Sequence, residues 1–186
     1  DGSRWTEVEQ HDCVGDAMNR DTIDRVRGIC STFELIVIDD CSPDDTAAVV
    51  AGFPDTRVRY LRNDANLGPE GNWNRCLAEA RGTYFKLLPH DDLLRSDCLA
   101  RQVDVLEADA LKAIALGLSA RDGLAPDGRQ VARRGFPGAR EGRLLAADVQ
   151  RLCVRRGTNL LGEPGAVMFR RALVSSVGMF DACEPY

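Results

Sequence analysis

A chain of 186 residues with 44% hydrophobic and 28% charged side chains is long enough for one domain with a buried core and too apolar for a disordered one. Acids outnumber bases 29 to 24, and the net charge of −5 lacks the basic excess expected of a nucleic-acid binder. The longest strongly apolar run, Leu35-Ile36-Val37-Ile38, falls far short of the ~20 residues that span a bilayer.

Residues 1–21 are polar and without period, and read as irregular or disordered. The chain opens on Asp1 rather than Met, as expected of a fragment or a processed product. Ile23, Val26 and Cys30 recur at helical spacing, which predicts a short helix over Thr22 to Ser31. Phe33 to Ile38 carries β-branched residues and a continuous apolar run, the pattern of a strand buried on both faces, and it runs into Asp39-Asp40. Ser42-Pro43-Asp44-Asp45 then predicts a helix start, with Ser42 as its cap and the helix reaching about Phe53. Arg57 to Leu61 alternates as a second strand, and Asn63 to Gly71 is a turn-rich loop. Trp73, Cys76, Leu77 and Ala80 form one helical stripe, closed by Gly82. Thr83 to Leu88 is a third strand, again followed by two acids, Asp91-Asp92. Leu99, Val103 and Leu106 mark a helix, and Ala113 to Ser119 a fourth strand.

Helices alternating with strands predict an α/β fold with a mostly parallel sheet, in which ligands bind beyond the carboxyl ends of the strands. Both acid pairs fall at that edge. After Ser119 the pattern changes. Asp122-Gly123 and Asp127-Gly128 signal turns, Leu145, Val149, Leu152 and Cys153 a helix, Ala166 to Phe169 a short strand, and Arg170 to Val177 a helix stopped by Gly178.

The seven cysteines (Cys13, Cys30, Cys41, Cys76, Cys98, Cys153 and Cys183) are odd in number, irregularly spaced and without a CxxC, so neither a disulfide framework nor a zinc site is expected, and a reducing compartment fits. Cys76, Cys98 and Cys153 read as small buried hydrophobes. His11 and His90 are the only histidines, too few for a site built on several imidazoles.

Carboxylates at a strand end can accept hydrogen bonds from a base or ribose, or bind a hard cation. Asp39 capping local amides beside a solvated Asp40 is the competing reading. Adjacent Asp91 and Asp92 repel each other, which a divalent cation relieves; serving as dipole partners of the next helix is the alternative. Asn66 and Gly68 suit positive φ in a tight loop, and Asn72 and Asn74 would bind substrate or cap the helix. Trp73 reads as core.

Three stretches together, FELIVIDDCSPDDT (33–46), NLGPEGNWNRCLAEARGTYFKLLPHDDLL (66–94) and GTNLLGEPGAVMFRRALVSSVGMFD (157–181), resemble family 2 glycosyltransferases of the GT-A fold. The resemblance covers roughly Thr22 to Tyr186. It implies a GT-A α/β domain over 22–186, with a nucleotide-sugar half at 22–120 and a partial acceptor-side half at 121–186, truncated at both ends. It implies transfer of a sugar from a nucleotide-diphospho-sugar donor to a glycan or lipid-linked acceptor, inverting and metal-dependent through Mg²⁺ or Mn²⁺, in cell-surface polysaccharide synthesis. Asp40 would bind the base, Asp91 the ribose or metal, and Asp92 the metal; Asp39, Asn66, Gly68 and Asn72 would complete the nucleotide-sugar side. Gly162, Glu163 and Pro164 would face the acceptor. The general base is expected beyond Tyr186, with Asp181 and Glu184 upstream of it. Nothing in residues 1–21 resembles the family's first strand. The expected setting is the cytoplasm, extending to the cytoplasmic face of the inner membrane. The rival expectation is a catalytically inactive fragment or a non-catalytic nucleotide-binding module of the same fold.

Overall fold

The computed structural model describes the backbone of residues 5–11 and residues 33–89, 92–109, 114–136 and 142–181 in full. The helix expected over Thr22 to Ser31, and the residues His90, Asp91 and Glu184, lie outside them.

Six strands form one sheet: β1 (Trp5–His11), β2 (Phe33–Asp39), β3 (Val58–Arg62), β4 (Tyr84–Pro89), β5 (Leu116–Leu118) and β8 (Val167–Arg170), in the order β3-β2-β1-β4-β8-β5. The first four in chain order are mutually parallel; β8 runs antiparallel to both β4 and β5. The irregular start expected for the chain is therefore corrected. Residues 5–11 form a central strand, pairing with β2 from Trp5↔Phe33 to His11↔Asp39 and with β4 from Trp5↔Tyr84 to Gln10↔Pro89. β2 is thereby paired on both edges, with β1 and with β3.

Alternation along the strands sends side chains into two cores. Leu35 and Val37 of β2 join Tyr84 and Leu88 of β4, together with Val50, Leu99, Val103 and Leu106. These last come from α1 (Thr46–Ala51) and α3 (Cys98–Glu107). Ile36, Ile38, Phe85 and Leu87 point the other way, onto Cys76, Leu77 and Ala80 at α2 (Gly68–Glu79). Each fully buried Val, Leu, Ile or Phe among them stabilises the fold by about 1.5–3 kcal/mol. All of β2 is buried, as its continuous apolar run predicts. Cys76 is buried, whereas Cys98 and Cys153 are only half-buried.

Two further elements lie outside the main sheet. A hairpin of β6 (Arg121–Leu124) and β7 (Gln130–Arg134) forms its own two-stranded sheet, with β7 exposed throughout. Asp127-Gly128 makes its turn, with Gly128 at φ +81, but Asp122-Gly123 lies inside β6, beside a register shift at Gly123/Leu124. The helix α4 (Ala146–Arg156) has no buried residue and ends on Gly157 at φ +59. After β8, a 3-10 turn at Arg171–Leu173 leads into the single turn α5 (Val174–Val177) before Gly178.

Candidate functional site

The carboxyl ends of β2 and β4 meet the same edge of the sheet, each one strand away from β1. At about 4.8 Å per strand their ends stand roughly 10 Å apart. β2 delivers Asp39 and Asp40 there, and Asp92 follows β4.

Asp39 and Asp40 are both fully buried. Asp39 Oδ1 accepts from the Ser42 amide at 2.7 Å; its Oδ2 accepts from the Tyr60 hydroxyl at 2.6 Å and from Arg62 Nη1 at 2.5 Å. Burial alone would raise the Asp39 pKa, but the hydrogen bonds from Tyr60 and Ser42 and the charge of Arg62 outweigh it, and the carboxyl titrates below its ordinary 3.8. Burial and the bond to Asp39 push the Tyr60 hydroxyl up. The tie to Ser42 needs a sharp reversal at Cys41, which takes φ +66, a left-handed conformation uncommon outside glycine. Ser42 therefore serves Asp39 rather than capping α1. That helix starts later, where Asp44 Oδ1 takes the amide and hydroxyl of Thr46.

Asp40 anchors the loop between β3 and α2. Its Oδ1 accepts from Asn63 Nδ2 and from the Leu67 amide at 2.9 Å, and its Oδ2 from the Gly68 amide at 2.9 Å. Solvation of Asp40 is thus excluded. Asn63 is the hub: it also donates to Asn72 Oδ1 at 3.0 Å and accepts from Arg75, and its amide donates to the Asp39 carbonyl at 2.8 Å. Asn66 closes a local turn onto the Gly68 amide at 2.9 Å, and Gly68 sits at φ +72. Asn72 neither caps α2 nor faces solvent. It is fully buried, with Nδ2 on the Ile38 carbonyl at 3.3 Å. Asn74 has a different job again. Its carboxamide holds the main chain of Phe180 at both ends, donating to the carbonyl at 2.9 Å and accepting from the amide at 2.8 Å.

That clamp sets Phe180 edge-on to Trp73, with ring centroids 5.5 Å apart. Trp73 is a partly buried wall rather than core. A cleft of about 370 Å³ opens here, lined by Leu67, Pro69, Trp73 and Phe180 and by two acids, Glu70 and Asp181.

Asp92 follows β4, its amide bonded to the Pro89 carbonyl at 3.1 Å. The turn carrying Gly162, Glu163 and Pro164 comes to meet it. A Cβ on Gly165 would lie 2.9 Å from Pro89 Cδ and 3.1 Å from Asp92 Oδ2, so only bare main chain fits beside that carboxylate. Gly162, at φ +91, lies over the Arg121 guanidinium, and Arg121 Nη1 pairs with Glu163 Oε1 at 3.0 Å. Pro164 opens a 3-10 turn, Pro164–Ala166. Asp92 and the 162–165 turn are thus brought together, and Asp39, Asp40, Asn66, Gly68 and Asn72 form a second group along the same edge.

Among the described residues no three His, Cys, Asp or Glu side chains converge to hold a metal. The donor chemistry at Asp92 is nevertheless of the right kind for a hard cation: a carboxylate, with a second one adjacent in sequence at Asp91. Mg²⁺ and Mn²⁺ commonly take one or two carboxylates and complete their shell from phosphates and water.

Tyr60, Arg62, Asn63, Lys86 and Arg121 escaped the sequence reading. Lys86 carried a usable signal, a lysine in the middle of the apolar strand Tyr84–Pro89.

The profile of the family described as Glycosyl transferase family 2 matches residues 18–177. The succinoglycan biosynthesis protein ExoO of Rhizobium meliloti (strain 1021) is 36% identical over 154 residues, covering 81% of this chain and 43% of that protein. An Escherichia coli protein named UDP-Glc:alpha-D-GlcNAc-diphosphoundecaprenol beta-1,3-glucosyltransferase WfgD is 33% identical over 76 residues, 41% of this chain and 30% of the other. The mannosyltransferase PcManGT from Pyrobaculum calidifontis, solved with GDP-Man and Mn²⁺, superposes with a TM-score of 0.64 at 18% identity, over 97% of this chain and 48% of that one. S. aureus TarS 1-349 with UDP-GlcNAc gives a TM-score of 0.63 at 17% identity, over 93% and 47%. The chain thus spans about half the length of these proteins or less. With the sheet, the acid-bearing strand ends and the family match in agreement, the chain belongs to glycosyl transferase family 2 and has its GT-A fold.

Proposed function

We propose that this chain carries the donor site of a hexosyltransferase that moves a sugar from a nucleoside-diphosphate donor to a glycan or lipid-linked acceptor in cell-surface polysaccharide synthesis, with inversion and with Mg²⁺ or Mn²⁺. The observation that supports this best is the approach of Gly165 to Asp92, which joins the turn on the acceptor side to the acid after β4. In this reading the nucleoside lies along the ends of β2 and β4. Asp39 and Asp40 hold the loops that form its floor, Asn66 and Gly68 present main chain to it, and Asp91 meets the ribose or shares the metal. A base contact from Asp40 requires exchange of one of its three loop bonds. Asp92, with Asp91, would hold the cation, which when bound offsets the charge developing on the departing diphosphate. Glu163, held by Arg121, faces the acceptor. The reading places the chain in the cytoplasm, at the membrane face where a lipid-linked acceptor would be presented; among the described residues no helix is long and apolar enough to cross a membrane.

Calorimetry with UDP and GDP, with and without Mn²⁺, tests the reading. One of the two nucleotides is expected to bind about tenfold more tightly with Mn²⁺, and Asp92→Ala to abolish that gain. Binding indifferent to EDTA would remove the metal from the proposal, and binding without transfer to any glycan would favour a non-catalytic nucleotide-binding module.

A further inference from the structure

We infer that Lys86 is a positioning residue: it latches the 162–166 turn to the end of β4 and so seats Gly165 against the carboxylate of Asp92. The inference rests on the reading of Asp92 as the cation-side acid and adds the part that places it.

Lys86 and Lys112 are the only lysines among 24 basic residues, and Lys86 stands in the middle of a buried strand with 1% of its surface exposed. An ammonium in that position is costly unless it is hydrogen-bonded. Its Nζ donates to the Gly165 carbonyl at 2.7 Å. The place of this bond in the sheet gives it a purpose. The backbone pairing of β4 with β8 runs Tyr84↔Arg170, Phe85↔Phe169, Lys86↔Met168 and stops there. Before β8 the chain is a 3-10 turn that cannot join the ladder. The Lys86 side chain takes over at the point where the ladder ends and holds the next stretch of main chain.

Gly165 is in turn within contact range of Pro89 and Asp92, so the placement of the turn and the placement of the carboxylate are a single variable. Gln102 secures the far side of the same turn, donating to the Ala166 carbonyl at 3.2 Å and to the Gly117 carbonyl at 3.0 Å. A compact ammonium suits the slot better than a planar guanidinium, which needs room for its fork.

The test compares Lys86→Met, Lys86→Arg and Gly165→Ala with the parent chain by hydrogen exchange and by UDP calorimetry with and without Mn²⁺. Amides of residues 159–169 are expected to exchange about tenfold faster in Lys86→Met and Gly165→Ala, with those of α1 unchanged. The gain in UDP affinity from Mn²⁺ should fall about fivefold or more in both, while metal-free UDP affinity stays within about twofold; Lys86→Arg should restore part of the gain. Unchanged exchange in both variants overturns the latch, and Gly165→Ala carries the test if Lys86→Met does not fold. Faster exchange with an undiminished Mn²⁺ gain overturns the seating of Asp92. A parent chain that gains nothing from Mn²⁺ with UDP, nor with GDP titrated alongside, refutes the donor reading instead, and the exchange data then decide the latch alone.

Discussion

The stretches 33–109 and 114–181 are built to different standards. Among the described residues, the first supplies nearly all of the buried hydrophobic side chains; from the second, only Ala166 and Met168 join them. Its hairpin strand β7 is fully exposed, α4 has no fully buried residue, and Leu145, Val154 and Val177 face solvent. Beyond the pairing of β5 and β8 in the sheet and the packing of Phe169, Val174 and Phe180, the second stretch is held by discrete polar ties: Lys86 to Gly165, Gln102 to Ala166 and Asn74 to Phe180, with Arg121 to Glu163 inside it. A face fixed by area resists displacement everywhere, whereas one fixed by a few bonds can be released one tie at a time. The half proposed to bind the donor is of the first kind, and the half proposed to face the acceptor is of the second.

The largest effect should come from the area-built half. Asp40→Ala strips Asn63 Nδ2 and the amides of Leu67 and Gly68 of a fully buried acceptor, and we expect a loss of about 3 kcal/mol in urea unfolding, with a single cooperative transition. A loss under about 1 kcal/mol would mean that the β3–α2 loop does not depend on Asp40. Asn74→Ala should cost less, about 2 kcal/mol, and locally: amide exchange should accelerate in residues 174–181 while α2 keeps its protection. Equal acceleration in α2 would contradict the division into two standards of construction.

The smallest effect is a pH dependence. The folded-state pKa of Asp39 lies below 3.8, so its contribution is complete above that pH and is lost as pH falls through the lower native value. Asp39→Asn should therefore cost about 1 kcal/mol at neutral pH, and the gap to the parent chain should close on acidification below pH ~4. A gap that widens in acid would reverse the assigned direction.

The same contrast governs what the sequence alone could show. β2, β4 and the stripes of α2 and α3 are legible because burial writes itself in apolar periodicity. β1 was not. Its sequence is Trp-Thr-Glu-Val-Glu-Gln-His, with one aliphatic residue, although it occupies a central position whose neighbours β2 and β4 are mostly apolar. The β6–β7 hairpin was half legible, through Asp127-Gly128, and its exposed strands left no core pattern to read. At the site, the acids were visible as strand-end pairs. Their partners were not, because Tyr60 and Arg62 follow ordinary strand alternation and Asn63 looks like any loop asparagine. Which side of a carboxylate faces a ligand depends on tertiary donors, and those are set by the packing of β3 on β2.

The Asn74–Phe180 clamp also bears on the order in which the molecule assembles. Its partners are 106 residues apart, and closing a loop of that length directly costs on the order of 4–5 kcal/mol of chain entropy, more than two amide hydrogen bonds return. Pairing of Tyr84 with Arg170 changes the problem, since Asn74 lies ten residues before the one and Phe180 ten residues after the other. Once β8 has joined the sheet, only about twenty residues of slack remain to be closed, at about 1.5 kcal/mol less on a logarithmic loop cost. The clamp is therefore a late event in folding and an early one in unfolding. Removing it should speed the unfolding limb of a chevron and leave the folding limb where it was.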